Sequence, residues 1–208
     1  MKTVIPIDLV TEDDLSEAIL RRILRDRRTF AQYECRTPYQ NSGSGQLRRN
    51  ARAFNAMARL CPVLLLTDLD RYPCPPALVR EWLPSGRNSE FLFRIAVREV
   101  EAWLLGSSEE LNEFLRLRRI RVYPDPECLM DPKEFLLDLA YESSSREIRE
   151  SVVQVDRNGR KRQGPAYNSV LSEFVGGPWN WKSASTRCPS LKGLLEKLES
   201  LERRRRSG

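Results

Sequence analysis

The sequence predicts an α/β fold with a mainly parallel central sheet flanked by helices, followed by a more irregular helical C-terminal part. Short apolar runs alternate along the first half with stretches whose apolar residues recur at helical spacing. Three of these runs lead directly into acidic residues, at Glu12, Asp68 and Glu99. The length of 208 residues, with 40% hydrophobic and 31% charged residues, suits one domain with a full core.

The first half of the chain predicts strands and helices in alternation. A strand over residues 3–10 leads through Glu12 into a helix, whose start is indicated by a Thr-x-x-Asp capping pattern at Thr11 and Asp14. The further predicted elements are a helix over about 46–60, a strand over 63–67, a short helix over 77–83, a strand over 91–97 and a helix that begins near Glu99. Ligands of such sheets bind beyond the carboxyl ends of the strands, and all three acidic clusters are predicted at that edge.

The second half is less regular. Its predicted elements are a helix that starts at Asp131 and Pro132, a short strand over 152–155, a charged turn over 156–162, a helix near 167–175, an aromatic loop over 176–181, a helix near 190–201 and a solvated basic tail over 203–206. We therefore predict an α/β core over residues 1–125, a helical extension packed on it over 126–202, and a basic tail over 203–208.

The composition excludes several classes of enzyme. The chain contains no histidine, which rules out Ser-His-Asp triads, Cys-His dyads and histidine general bases. Its five cysteines are widely spaced and form no CxxC pair, so we expect neither a disulfide framework nor a zinc site. No transmembrane run or signal-peptide pattern is present, so we expect a cytoplasmic protein without membrane contact. If the protein is an enzyme, carboxylates with a hard cation are the most obvious catalytic groups that remain.

The sharpest candidate for a metal site is Asp68-Leu69-Asp70. Because side chains alternate along a strand, both carboxylates would lie on one side of an extended segment and bind one Mg²⁺, or one each of a pair. The alternative is a polar strand exit in which Asp68 caps a turn. Glu12 has a similar alternative, because the helix dipole favours an acid in the first turn of a helix.

Glu99 and Glu101 are the candidates for a further acidic ligand. In a helix they lie about 200° apart, so we expect only one of them to face a metal ion. Glu101 is preferred because it lies in an apolar stretch, where an unpaired carboxylate is destabilising. The alternative for both residues is a solvated helix surface.

The net charge of +6, to which arginine contributes more than lysine, favours nucleic acid as a partner. The candidate phosphate contacts are Arg48, Arg52, Arg71, Arg160, Lys161, Arg162 and Lys182. A solvated basic surface is the alternative interpretation of these residues. Trp179 and Trp181 either stack on bases or seal a small core.

The acidic segments resemble a known family. A strand with Glu12, a strand with Asp68 and Asp70, and a later strand with a further glutamate are similar in order to the TOPRIM domain of topoisomerases, primases and OLD-type nucleases. More closely, residues 9–17, 66–70 and 96–105 resemble small stand-alone TOPRIM-like proteins of bacterial defence operons, and residues 164–167 and 188–192 also look similar.

The resemblance implies a TOPRIM-like fold and a metal site. Glu12, Asp68 and Asp70 would bind Mg²⁺ or Mn²⁺, and Glu101 or Glu99 would complete the site. The implied function is a Mg²⁺-dependent nuclease that hydrolyses DNA or RNA in anti-phage defence. Its partner would be an ABC- or SMC-like ATPase, and a homodimer is a further expectation.

Two alternatives remain at this point. One is a non-catalytic TOPRIM-like module that binds nucleic acid or regulates an ATPase. Many TOPRIM domains have glycine after the first glutamate and an acid four positions beyond it, whereas this chain has Asp13 and Ser16, which favours the module. The other is a phosphatase with a nucleophilic aspartate, which fits poorly because Arg71 and Tyr72 follow Asp70.

Overall fold

The computed structural model describes residues 4–26, 29–36, 39–40 and 43–207. The chain divides into two compact units, which we call unit one (Met1–Val97 with Lys192–Gly208) and unit two (Arg98–Leu191). The division expected after residue 125 stays a prediction about independently folding domains.

Unit one is built on a parallel sheet. Its strands are β1 (Val4–Thr11), β2 (Gln32–Cys35), β3 (Tyr39–Gln40), β4 (Val63–Asp68) and β5 (Phe91–Ala96). The order is β2-β1-β4-β5, and β3 pairs with the end of β1. Each of these pairings is parallel, so the predicted α/β class with a mainly parallel sheet is confirmed. Thr3, which the predicted first strand includes, lies outside the described residues.

Three helices of unit one follow the strands in sequence. They are α1 (Asp14–Leu24), α2 (Ser44–Met57) and α3 (Pro75–Trp82). Leu47 and Phe54 of α2 and Leu78 of α3 join Leu65 and Phe93 of the sheet in one buried cluster. Strand β4 is buried along its apolar length, as expected for a central strand of a parallel sheet.

The junction of β1 and α1 differs in detail from the prediction. Thr11 is still a strand residue, because it pairs with Gln40 and Leu66 on either side. The cap of α1 is Asp13, whose side chain accepts a hydrogen bond from the amide of Ser16 at 2.8 Å. Strand β1 therefore includes Thr11, which the predicted capping pattern placed at the start of the helix.

Unit two is mostly helical. Its helices are α4 (Glu101–Leu105), α5 (Ser108–Phe114), α6 (Pro132–Tyr141), α7 (Arg146–Val152), α8 (Tyr167–Gly176) and α9 (Trp181–Arg187), with a 3-10 turn at Pro126–Cys128. Strands β6 (Val153–Val155) and β7 (Lys161–Gln163) form an antiparallel hairpin. The predicted start of α6 is confirmed, because Asp131 caps it by accepting from the Glu134 amide at 2.7 Å.

The last helix, α10 (Pro189–Ser207), is longer than predicted. The basic residues Arg203, Arg204 and Arg205 are exposed and lie in the final turns of this helix, where Arg204 and Arg205 lie 2.9 Å and 2.8 Å from the carboxylate of Glu90. Upstream, the Glu202 carboxylate accepts from the Ala31 amide at 2.7 Å. None of the described helices is long and apolar enough to cross a membrane. The five cysteines are free thiols.

Candidate functional site

The carboxyl ends of β1 and β4 bring Glu12 next to Asp68. Thr11 pairs with Leu66 in the parallel register, so the residues that follow each of them lie at the same edge of the sheet. The Thr67 hydroxyl donates a hydrogen bond to Oε1 of Glu12, and the Asp68 amide donates to the same oxygen at 3.2 Å. We call Glu12, Thr67, Asp68 and Asp70 the carboxylate edge.

Burial and the neighbouring acids at the carboxylate edge oppose the ionisation of Glu12. Burial raises the pKa of Glu12 above its usual value, while the hydrogen bonds from Thr67 and Asp68 lower it. The negative charges of Asp70 and Asp13 raise the pKa of Glu12 further. A positive ion at this edge would therefore be favourable.

Asp70 does not lie where strand alternation predicts. Strand β4 ends at Asp68, and the Leu69 amide still donates to the Ala96 carbonyl at 2.9 Å. Asp70 then adopts a φ of 48°, in the left-handed region, and its side chain is exposed. The premise that both aspartates share one side of an extended segment was therefore wrong, because the chain turns at Asp70.

The three acids of the carboxylate edge are chemically suitable ligands for a hard divalent cation, because such cations prefer oxygen ligands. Within the described residues, however, no group of three or more acidic or cysteine side chains is arranged to hold a metal ion. Binding a cation by three carboxylates would thus require side chains to move. Of the three acids of the carboxylate edge, Asp70 is the exposed one and has the most room to do so.

Glu99 and Glu101 belong to unit two, where they share one lysine. The ammonium of Lys133 lies 3.3 Å from Glu99 and 3.7 Å from Glu101, and the Lys133 amide donates to Glu99 at 2.9 Å. The separation of about 200° was expected only if both acids were helical, and that condition is not met. Helix α4 begins only at Glu101, so Glu99 does not follow helical geometry.

Glu101 is a buried acid, as its apolar surroundings in the sequence suggested. It is 2% exposed, and the Tyr167 hydroxyl donates to its Oε1 at 2.9 Å. Its Oε2 has no hydrogen-bond partner among the described residues. Burial raises the pKa of Glu101 to about 7, opposed by the charge of Lys133 and assisted by that of Glu99. That Glu101 or Glu99 completes the carboxylate edge stays a prediction.

The basic candidates of unit one are exposed. Arg48 and Arg52 lie on α2, and Arg71 directly follows Asp70. Arg48 is partly neutralised, because its guanidinium lies 2.9 Å from Glu81. Arg71 is therefore the candidate placed next to the carboxylate edge in sequence.

Two of the three basic candidates around the β6–β7 hairpin are engaged in ion pairs. Lys161 lies 2.5 Å from Asp138, and Arg162 lies 3.1 Å from Asp156. Arg160 is exposed in the turn, where its amide donates to Asp156 at 3.0 Å. The hairpin is thus less free to bind phosphate than its sequence indicates.

The two loop tryptophans seal a core instead of stacking on bases. Trp179 is 1% exposed and donates to the Trp103 carbonyl at 3.2 Å, and Trp181 is 5% exposed. The remaining basic candidate, Lys182, is exposed, with its ammonium 5.1 Å from the centre of the Trp181 ring.

Three residues that were not predicted as site residues contact the acids in the structure. Thr67 orients Glu12, and Lys133 and Tyr167 hold Glu101. The polar Thr67 at the end of an apolar run was a usable signal. Tyr167 lies in the segment 164–167 that resembles the family, but its partner is 66 residues away in sequence, so the resemblance did not assign its contact.

A solved structure resembles this chain at low similarity. No protein-family model matches the sequence, and no curated protein sequence matches it. Among solved structures, the chain is similar to the C-terminal region of the Burkholderia pseudomallei OLD protein, with 14% sequence identity and a TM-score of 0.48, over 94% of this chain and 97% of that chain. A likeness of this size carries no conclusion about activity.

Proposed function

We propose that this protein is a metal-dependent nuclease that hydrolyses phosphodiester bonds of DNA or RNA at the carboxylate edge. The observation that carries the proposal is the pair of hydrogen bonds that the Thr67 hydroxyl and the Asp68 amide donate to Glu12, at the edge where parallel sheets bind ligands. The mutual repulsion of Glu12 and Asp70 is relieved by a cation, and Mg²⁺ or Mn²⁺ suits oxygen ligands.

The residues of the edge have separable tasks in this proposal. Glu12, Asp68 and Asp70 would hold the ion, which when bound would polarise the scissile phosphate and activate water. Thr67 and the Asp68 amide both donate to Oε1 of Glu12, which fixes the orientation of that carboxylate. Among the described residues, Oε2 of Glu12 accepts no hydrogen bond, so it is the oxygen left for a ligand.

A non-catalytic module that binds nucleic acid or regulates an ATPase is the second candidate function. It is favoured by the absence of three converging acids among the residues that the structure describes. The role in anti-phage defence, the ABC- or SMC-like ATPase partner and the homodimer rest on the family resemblance and remain parts of the proposal.

Cleavage of nucleic acid tests the proposal directly. Purified protein is incubated with single- and double-stranded DNA and RNA, with Mg²⁺, with Mn²⁺, or with a chelator. We expect cleavage that requires the metal and is lost in Asp68→Asn, while Glu34→Gln, which removes an exposed carboxylate of β2, cuts like the wild type. The thermal unfolding of both variants is measured, so that loss of fold is recognised.

Two results contradict the nuclease. Cleavage that persists in Asp68→Asn would show that the chemistry lies elsewhere or in a contaminant. Binding of nucleic acid by wild type and variant alike, with no cleavage under any metal condition, would favour the non-catalytic module.

A further inference from the structure

Unit two contains a cleft of about 530 Å³ that is lined by arginine. Its charged residues are Arg118, Arg119, Arg121, Arg149 and Glu142. Four positive charges and one negative charge give the lining a net charge of +3. We call this region the arginine cleft.

The walls of the arginine cleft are held by hydrogen bonds. The side chain of Asn112, which is buried, donates to the Arg121 carbonyl at 2.8 Å and accepts from the Arg121 amide at 2.9 Å. The Arg116 carbonyl accepts from the Ser144 amide at 3.2 Å and from the Ser144 hydroxyl at 2.7 Å. The arginine segment is therefore joined to the turn after α6, and the cleft is preorganised.

Among the described residues, only one of the four arginines, Arg121, forms an ion pair. Arg121 lies 2.6 Å from Glu142, and Arg149 donates to the Ser143 carbonyl. Arg118 and Arg119 are exposed, and neither forms an ion pair within the described part of the chain. Guanidinium groups that cluster without acidic partners favour a phosphate-bearing ligand.

A second cleft of about 450 Å³ adjoins the first, because Ser143 and Arg149 line both. We call it the aromatic cleft, since its lining includes Tyr141 and Val155, which are 48% and 46% exposed. The ammonium of Lys161 lies 4.9 Å from the centre of the Tyr141 ring. An exposed aromatic ring thus lies beside a cationic cleft, which is the pairing that single-stranded nucleic acid requires.

We propose that the two clefts together bind single-stranded nucleic acid, with phosphates in the arginine cleft and a base stacked on Tyr141. A duplex keeps its bases stacked on one another and offers none to the ring, so the single strand is the form that fits. The inference rests on the proposed nuclease and names its substrate class.

Fluorescence anisotropy with labelled oligonucleotides tests the inference on the full chain. The double variant Arg118→Ala/Arg119→Ala removes two phosphate contacts, so the slope of log affinity against log salt should become shallower by about 1.4. The matched control is Arg59→Ala/Arg80→Ala, which removes the same charge from exposed positions of unit one and should bind like the wild type. Tyr141→Ala should weaken binding of a normal strand at least about fivefold but leave binding of an abasic strand unchanged.

Several outcomes overturn the inference. They are unchanged affinity and salt slope in the double arginine variant, equal loss in the Arg59/Arg80 control, or competition by duplex as effective as that by single strand. Complete competition by a mononucleotide or by inorganic phosphate at the same concentration would show that the site takes a free phosphate compound and not a strand.

Measuring binding and cleavage on the same variants tests the inference and the proposed nuclease separately. Glu34→Gln, whose carboxylate belongs to neither proposed site, should bind the strand like the wild type. Metal-dependent cleavage with unchanged binding in the cleft variants would overturn the inference alone. Weakened binding in those variants, without cleavage by any form of the protein, would overturn the nuclease alone.

Discussion

Replacing Glu101 with glutamine should stabilise the protein above pH 7. Glu101 is buried, and its pKa rises from an ordinary 4.5 to about 7. The folded state therefore holds a proton that the unfolded state releases, so the free energy of unfolding falls as pH rises from 4.5 to beyond 7. At about 1.4 kcal/mol per pH unit, this interval corresponds to about 3 kcal/mol. Glutamine carries no charge at any of these pH values, so the variant does not lose this part of the free energy of unfolding.

The neighbours of Glu101 support the substitution on structural grounds. Glutamine keeps the oxygen that accepts from the Tyr167 hydroxyl, and Lys133 keeps Glu99 at 3.3 Å. Urea unfolding at pH 5 and pH 8 measures the effect. We expect Glu101→Gln to lose less stability than the wild type between these values, by up to about 3 kcal/mol. Glu113→Gln, an exposed glutamate of α5, is the control and should follow the wild type.

A destabilised Glu101→Gln at pH 8 would refute this reasoning. It would mean that the ionised carboxylate gains more from Lys133 than burial takes away, since breaking a favourable buried pair costs about 3–5 kcal/mol. A pH dependence equal to that of the wild type would show that Glu101 does not titrate in this interval.

Further substitutions test a hydrogen bond in unit one and the close packing around a glycine in unit two. Thr67→Val removes the hydroxyl that donates to Glu12 and should lower the free energy of unfolding by about 1.5–3 kcal/mol in urea titrations, whereas Thr67→Ser, which keeps the hydroxyl, should lower it less. Gly164→Ala places a Cβ 2.5 Å from the Ser151 carbonyl oxygen and should destabilise by about 2 kcal/mol or more in thermal unfolding. Gly176→Ala has no atom within 4 Å of its Cβ and should be neutral or slightly stabilising, so equal losses in both glycine variants would contradict the steric explanation.

Much of the fold followed from local patterns. The apolar runs of β4 and β5 and the apolar spacing of α1 and α2 are local signals, and these elements lie within a few residues of their predicted positions. Strand β2 was missed because Gln32–Cys35 has no apolar run and is defined by pairing with β1. Helix α9 was missed because its buried tryptophan and alanine are too few to show a period.

The sequence predicted that Glu12 and Asp68 are neighbours, but it did not predict the geometry around the acids. Parallel pairing implied that the residues at the ends of β1 and β4 would lie together, and the Glu12 carboxylate does accept from the Asp68 amide. The turn at Asp70 and the shared lysine of Glu99 and Glu101 were not predictable, because each depends on where an element ends.

The sequence by itself determined the class of fold, the exclusion of histidine chemistry and the edge at which Glu12 and Asp68 lie at the ends of neighbouring strands. These depend on composition and on the order of apolar runs, which are properties of the chain. Only the tertiary structure decided that Tyr167 and Lys133 hold Glu101, that Trp179 is buried, and that Arg118 and Arg119 line one cleft with Arg121 and Arg149. Burial and charge pairing depend on residues far apart in sequence, and folding alone brings those residues together.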